Sequence, residues 1–287
     1  MSNILVTGAS GQLGSEIKTI YQEFSEYQFF FTDIEELDIC SKEDLRNFIE
    51  VNNINAIVNC AAYTAVDKAE SEPEIANNIN HIAVEHMASL AKEKGLRLVH
   101  ISTDYVFDGM GHKPYPVDYP TKPVNVYGNT KLLGEKAIQK LSPDYGAIIR
   151  TSWVYSSFGG NFVKTMLRLG KERDQIKVIC DQVGVPTYAA DLARFILEKV
   201  LKSDKKSLSY YHYTNEGACS WYDFAVEIFE LSAIDCRVIP IPTTSYPTPA
   251  KRPFYSLMDK SSIKNDFYVV PPYWRNSLKK CIQILDN

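Results

Sequence analysis

The sequence predicts an α/β fold, a doubly wound parallel sheet with a smaller lobe at its C-terminal end, on three observations. Short β-branched runs alternate with longer amphipathic stretches through the first half of the chain, the pattern of βαβ units joined by crossovers. Runs such as Ala56-Ile57-Val58 and Leu98-Val99-His100-Ile101 are apolar on both faces, as strands are when helices cover both sides of a sheet. After about Arg150 the texture changes. Tyr and Pro become frequent, as in Tyr210-Tyr211-His212-Tyr213 and Ile239-Pro240-Ile241-Pro242.

Taken in order, strands are predicted at Ile4–Thr7, Gln28–Thr32, Ala56–Asn59, Leu96–Ile101 and Ala147–Arg150. Amphipathic helices are predicted between them over Gln12–Phe24, Lys42–Val51, Ile75–Glu93 and Tyr127–Leu141. Later helices, more widely spaced, fall at Asp191–Leu201, Trp221–Leu231 and Trp274–Leu285. The expected division is residues 1–150 for the sheet unit and 151–287 mainly for the second lobe, with some elements returning to the sheet. No internal repeat, low-complexity tract or flexible linker interrupts the chain, so the two parts should close on one cleft.

The composition narrows the classes of function. The chain has 287 residues, 45% of them apolar, which is ample for a core and too apolar for disorder. No apolar run approaches the roughly 18 residues of a membrane span, and Lys and Arg (31) do not outnumber Asp and Glu (35). Neither a membrane nor a nucleic-acid partner is expected. The N-terminal Met1-Ser2-Asn3-Ile4-Leu5-Val6-Thr7 has no basic segment and no long apolar run, the expected start of a mature cytoplasmic protein. Six scattered cysteines (Cys40, Cys60, Cys180, Cys219, Cys236, Cys281) form no Cys-x-x-Cys pair. They are expected to be reduced and buried, with no disulfide and no metal site.

Thr7-Gly8-Ala9-Ser10-Gly11-Gln12-Leu13-Gly14 follows the first strand and opens the first helix. Glycines there permit a tight turn, a close approach of backbone to a pyrophosphate and close helix–strand packing, with the helix N-terminus facing the negative charge. Asp33 follows the second strand at the distance expected of a carboxylate that meets a ribose hydroxyl. A Rossmann-type dinucleotide site is the expectation. Asp33 favours NAD by repelling a 2′-phosphate, while Ser10 and Gln12 still offer donors to one, so both NADH and NADPH stay open. Asp38 and Ile39 are a further candidate pair, or else part of a helix-capping loop before Ser41.

Tyr127-Gly128-Asn129-Thr130-Lys131 sets Tyr127 and Lys131 four residues apart, on one face at the start of a helix. With 18 tyrosines in the chain, about one such spacing arises by chance, so position carries the argument. The pair follows the fourth strand, whose end carries Ser102-Thr103-Asp104-Tyr105, and ligands in open α/β sheets bind beyond the carboxyl ends of strands. Thr103, Tyr127 and Lys131 can therefore converge. An ammonium beside a phenol lowers its pKa, which makes Tyr127 a usable general acid for a ketone oxygen, with Thr103 holding the same oxygen.

These residues resemble the extended short-chain dehydrogenase/reductase family, whose variant glycine spacing is the Gly-x-x-Gly-x-x-Gly seen here. The likeness runs through Asn59–Glu70, Ser102–Gly109, Tyr127–Glu135, Arg150–Tyr155, Gly159–Phe162, Asp181–Gln182, Gly184–Thr187 and Lys251–Pro253, essentially the whole chain. It implies NADPH- or NADH-dependent reduction of the C4 ketone of dTDP-4-dehydro-β-L-rhamnose, with Thr103, Tyr127 and Lys131 as the catalytic set. It also implies that Gly8, Ser10, Gly11, Gln12, Leu13, Gly14, Asp33, Asp38, Ile39, Ala61, Ala62, Tyr63, Tyr127 and Lys131 hold the cofactor. Thr64, Val66, Thr103, Asp104, Tyr105, Trp153, Asn161, Lys251 and Arg252 would meet the nucleotide sugar. Read by themselves, Trp153 could equally be a buried core residue, and Lys251 with Arg252 a solvated pair.

Two departures stand out. Tyr115-Pro116-Val117-Asp118-Tyr119 lacks an expected glutamate before its acidic position. Some relatives pair through glutamates bridged by Mg; Glu16 matches one such position, but Ala190 stands at another. A monomer or weak homodimer without metal is expected. The rival readings are another nucleotide-sugar 4-ketoreductase or epimerase, and a non-catalytic NAD(P)-binding subunit resembling the regulatory subunit of methionine adenosyltransferase.

Overall fold

Strands apolar on both faces stack side by side where helices can cover them, and this sets the centre of the molecule. In the computed structural model, which describes residues 2–286, the first half runs β1 (Ser2–Thr7), α1 (Gln12–Ile20), β2 (Tyr27–Thr32), α2 (Lys42–Val51), β3 (Ile54–Asn59), α3 (Val66–Ala69), α4 (Pro73–Asn77), α5 (Ala83–Lys94), β4 (Arg97–Thr103), α6 (Val126–Leu141) and β5 (Tyr145–Thr151). Then follow β6 (Val154–Tyr155), α7 (Phe162–Glu172), β7 (Gln175–Ile179), β8 (Val183–Gly184), β9 (Thr187–Tyr188), α8 (Ala189–Phe195), β10 (Ser209–His212), β11 (Cys219–Ser220), α9 (Trp221–Leu231), β12 (Arg237–Ile241), α10 (Ser261–Phe267) and α11 (Trp274–Leu285).

The central sheet is parallel throughout, in the order β2-β1-β3-β4-β5-β10. Strand order reverses beside β1, so β1 and β3 flank the switch point where α/β sheets bind ligands. On one face Leu13 and Ile17 of α1 and Leu192, Ala193 and Phe195 of α8 join Ile4, Val6, Val58 and Ile149. On the other, Leu45 and Ile49 of α2, Met87 and Leu90 of α5 and Ile138 of α6 cover Leu5, Ile57, Leu98 and Ile148. β10 comes from the Tyr-rich second part of the chain, yet pairs with β5, Tyr211 opposite Ile149.

The second lobe has its own core of Val163, Met166, Phe224, Ile228, Trp274 and Leu278, with three two-stranded ladders, β7–β12, β6–β9 and β8–β11. Side-chain caps start its helices: Asn161 accepts from the Lys164 amide, and Ser220 with Asp223 forms a reciprocal capping box, each worth about 1 kcal/mol.

Several helices differ from the sequence pattern at their ends. The stretch expected over Ile75–Glu93 starts earlier, at Pro73, a residue preset for a first helical position, and widens into a π turn over Asn78–Ile82 before α5. The one expected over Gln12–Phe24 tightens into a 3₁₀ turn after Ile20. The one expected over Asp191–Leu201 starts at Ala189 and ends in a π turn, Ile196–Val200. All six cysteines are free, but only Cys219, Cys236 and Cys281 are buried; Cys180 is exposed, which corrects the expectation of uniformly buried thiols. Among the described residues, no helix is long and apolar enough to cross a membrane.

Candidate active site

The glycine turn lies against the end of β3. Gly8 has φ +66°, and a Cβ there would stand 2.7 Å from the Ala61 backbone, so only glycine allows both the turn and the contact. A Cβ on Gly14 would stand 2.4 Å from the Gly8 carbonyl oxygen, which lets α1 press onto the turn. Gly11 is the N-cap of α1 and brings no side-chain acceptor, leaving first-turn amides for an anion. A cleft of about 370 Å³ opens here, lined by Gly8, Gly11, Asp33, Asp38, Ile39, Ala61 and Ala62 among others. These features fit a dinucleotide.

Not every predicted cofactor residue presents its side chain. Leu13 packs into the core, so only its backbone is available. Gln12 is tied to the second lobe, accepting from Asn161 Nδ2 at 3.1 Å and donating to the Val154 carbonyl at 3.4 Å. Asp33 accepts from the Ser10 amide at 2.8 Å and so braces the glycine turn. Asp38 caps the Cys40 amide at 2.8 Å and also lines the cleft, so the capping and cofactor readings coexist. The Tyr63 hydroxyl donates to Glu72, and its backbone is held by Asn80, from the π turn, through Oδ1 at 2.9 Å and Nδ2 at 3.1 Å.

Thr103 ends β4, and Tyr127 and Lys131 lie on the first turns of α6; all three are buried. Asn125 caps α6 at the Gly128 amide (2.8 Å). A Cβ on Gly128 would stand 2.2 Å from the Tyr105 carbonyl oxygen, so this glycine lets α6 approach the end of β4. Tyr127 sits in an apolar cluster with Ala69, Ala76, Val66, Tyr63 and Tyr105, its ring edge-on to Tyr105 at 5.5 Å. Thr103 Oγ1 donates to Asp104 Oδ1 at 3.0 Å and accepts from the Tyr105 amide.

The depressed phenol expected from the sequence is not what this geometry gives. Burial, opposed by the Thr103 hydroxyl and reinforced by the Asp104 charge, pushes Tyr127 up to about 12. Burial also moves Lys131 down to about 8, against the pull of Glu135 one turn further on. Both groups are thus driven toward their neutral forms. Asp104 is raised by burial to about 6.

The predicted substrate residues divide into two groups. Val66 and Tyr105 pack with Tyr127, Thr103 is hydrogen-bonded to it and Asp104 acts on it through its charge, while Thr64 is exposed. Trp153, at φ +50°, is half-buried and stacked on Trp221, ring centroids 3.7 Å apart, so one face is already covered. Asn161 does not present free donors; it caps α7 and donates to Gln12 and to the Ser156 carbonyl. Lys251 has an exposed side chain, and its carbonyl accepts from Asn125 Nδ2 at 2.8 Å. Arg252 Nη2 donates to Asp67 at 2.7 Å, while its Nη1 is buried without a partner among the described residues.

Sequence reasoning missed three structural supports of the site. Asp67 ties α3 to the second lobe, accepting from both Arg252 and the Ala250 amide. Glu135 and Arg150 form a buried ion pair at 2.7 Å behind α6, with Ser102 also donating to Glu135. Asn59 and His100 stand beneath Lys131. The only advance signal was a polar residue at the end or in the middle of an otherwise apolar strand. Glu16 is buried and accepts from Ser156 at 2.6 Å. Among the described residues, no group of three His, Cys, Asp or Glu could hold a metal ion.

A family model for the RmlD substrate binding domain matches residues 1–287. The dTDP-4-dehydrorhamnose reductase of Escherichia coli K12 is 41% identical, over 99% of this chain and 98% of that protein. The crystal structure of a dTDP-4-dehydrorhamnose reductase from Clostridium acetobutylicum superposes with a TM-score of 0.94 at 42% identity, covering 99% of this chain and all of that one. That of the Bacillus anthracis dTDP-4-dehydrorhamnose reductase, in complex with NADP, gives 0.93 at 37% identity over 99% and 100%.

Proposed function

We infer the function from one premise: the chain belongs to the family of the RmlD substrate binding domain. It is an NADPH- or NADH-dependent reductase that turns the C4 ketone of dTDP-4-dehydro-β-L-rhamnose into the alcohol of dTDP-β-L-rhamnose. What supports the reading is that Thr103 and Tyr127 are hydrogen-bonded at the end of β4, while Lys131, one helical turn on, lies near Cys60 of the glycine-lined cleft.

The glycine turn and the first amides of α1 would hold the pyrophosphate, and Asp33 and Lys131 would meet the two riboses. When bound, the reduced nicotinamide supplies a hydride to sugar C4. Tyr127 donates its proton to the ketone oxygen, which becomes the hydroxyl. Its raised pKa keeps it protonated at neutral pH, the form a donor needs. Thr103 positions the same oxygen, and burial excludes water from the exchange. The unpartnered Nη1 of Arg252, with Lys251, suits the substrate diphosphate. The chain acts as a monomer or weak homodimer in the cytoplasm: Glu16 is engaged by Ser156, Ala190 offers no ligand, and free thiols fit a reducing compartment.

Tyr127→Phe should lower turnover by on the order of 10²–10⁴ while NADPH binding is largely kept. The assay follows nicotinamide absorbance on enzymatically generated dTDP-4-dehydrorhamnose with NADPH and NADH in turn, and the product by NMR. Near-wild-type turnover of the variant removes Tyr127 from the role. An inactive wild-type protein sinks the reading.

A further inference from the structure

The register of the sheet lines up three polar residues at its carboxyl end, Thr7 opposite Asn59 and Asn59 opposite His100. The hydrogens along this row can be counted. The Ala61 amide donates to Asn59 Oδ1 at 3.1 Å; a flipped side chain would set an N–H against that N–H, so the amide orientation is fixed. Thr7 Oγ1 donates to the same oxygen at 2.8 Å. Asn59 Nδ2 therefore faces His100 Nδ1 as a donor, at 3.0 Å. Nδ1 must then hold a lone pair, and a neutral ring carries its hydrogen on Nε2.

Nε2 meets Lys131 Nζ at 3.3 Å, and Nζ also donates to the Ile101 carbonyl at 2.6 Å. An ammonium has donors only, whereas an amine keeps one lone pair. Facing the Nε2 hydrogen, an amine completes the network and an ammonium leaves two hydrogens opposed. We propose that His100 is a positioning residue that donates through Nε2 to Lys131 and so favours the neutral amine of that lysine over its ammonium.

The surroundings support this count. The groups that face Lys131 are His100 from β4, Cys60 from the end of β3 and Glu135 on its own helix. Glu135 is itself paired with Arg150, which weakens its hold on a lysine charge, and burial pushes the Cys60 thiol up to about 12, so it stays neutral. Burial and the nearby lysine hold His100 well below the usual imidazole range. The lysine must hold its proton to be the cation that steadies a tyrosine giving one up. His100 thereby sets how basic the medium can be before that proton is missing.

The tautomer is read by ¹⁵N NMR of the full-length protein labelled at histidine, without ligand, from about pH 6 to 8. The expected result is a neutral His100 with its hydrogen on Nε2 and a bare Nδ1. A hydrogen on Nδ1, or an imidazolium, overturns the proposal. The kinetic consequence rests on the reductase reading. In His100→Gln the side-chain amide can turn its oxygen to an ammonium, so the alkaline limb of kcat/KM should move up by about one pH unit, a roughly tenfold gain on that limb. An unmoved limb in a folded variant overturns the proposal. If His100→Gln does not fold, the wild-type tautomer decides. Absent turnover of the wild type with the expected tautomer sinks the reductase reading alone.

Discussion

The two walls of the cleft are held in different ways. The wall proposed for the cofactor is made of strand ends and the turn after β1, fixed by the sheet register, by Gly8 against Ala61 and by the row from Thr7 to His100. The wall proposed for the substrate is held to it by side-chain ties that cross from one lobe to the other: Arg252 and the Ala250 amide on Asp67, Asn125 on the Lys251 carbonyl, and Asn161 on Gln12. Damage to the first wall should cost stability, because its supports are buried with the core. Damage to the second should appear first in substrate affinity.

Glu135→Ala tests the first half of that contrast. It leaves Arg150 buried without its carboxylate, at a cost of about 3–5 kcal/mol. The melting temperature should fall by on the order of 10 °C, measured by circular dichroism. A loss of only a degree or two would show that the buried pair is not what aligns α6 with β5. Asp67→Asn tests the second half. The tie is partly exposed, so the effect is modest: KM for the nucleotide sugar should rise about three- to tenfold, with kcat, NADPH affinity and melting temperature nearly kept. An equal fall in kcat at constant KM would place Asp67 on the catalytic side. The smallest effect is expected from Asn161→Ala, which removes the α7 cap and the bond to Gln12. Calorimetry should register about 1 kcal/mol; no change would mean that a neighbouring group takes over the cap.

The same contrast governs what could be read in advance. Gly8, Gly11, Gly14 and Asp33 lie within a single βαβ stretch, and helical spacing sets Tyr127 and Lys131 on neighbouring turns, so the glycine turn and the pair proposed to react could be placed from local pattern. The parallel sheet followed from strands apolar on both faces. The substrate wall depends on contacts such as Arg252 with Asp67, 185 residues apart, and Asn161 with Gln12, 149 apart; no periodicity encodes these. His100 was visible only as a polar residue in an apolar strand, because its partners are set by register. The two π turns also escaped prediction. A widened turn has no residue signature of its own, and Asn80 matters through its bond to the Tyr63 backbone. The phenol pKa was misjudged because spacing gives proximity but not burial.

β10 ties the completion of the sheet to the order of synthesis. While the ribosome has made only the first 150 or so residues, β5 is an open edge, and Leu192, Ile196 and Tyr211 are missing from the core beneath it. An unpaired apolar edge invites association with other chains. The sixth strand closes that edge only once residue 212 has emerged, when the segment that forms α7, β7 and α8 is already outside. A fragment cut at residue 150 would therefore keep its glycine turn and still be prone to aggregate. The dinucleotide unit is contiguous in space but not along the chain.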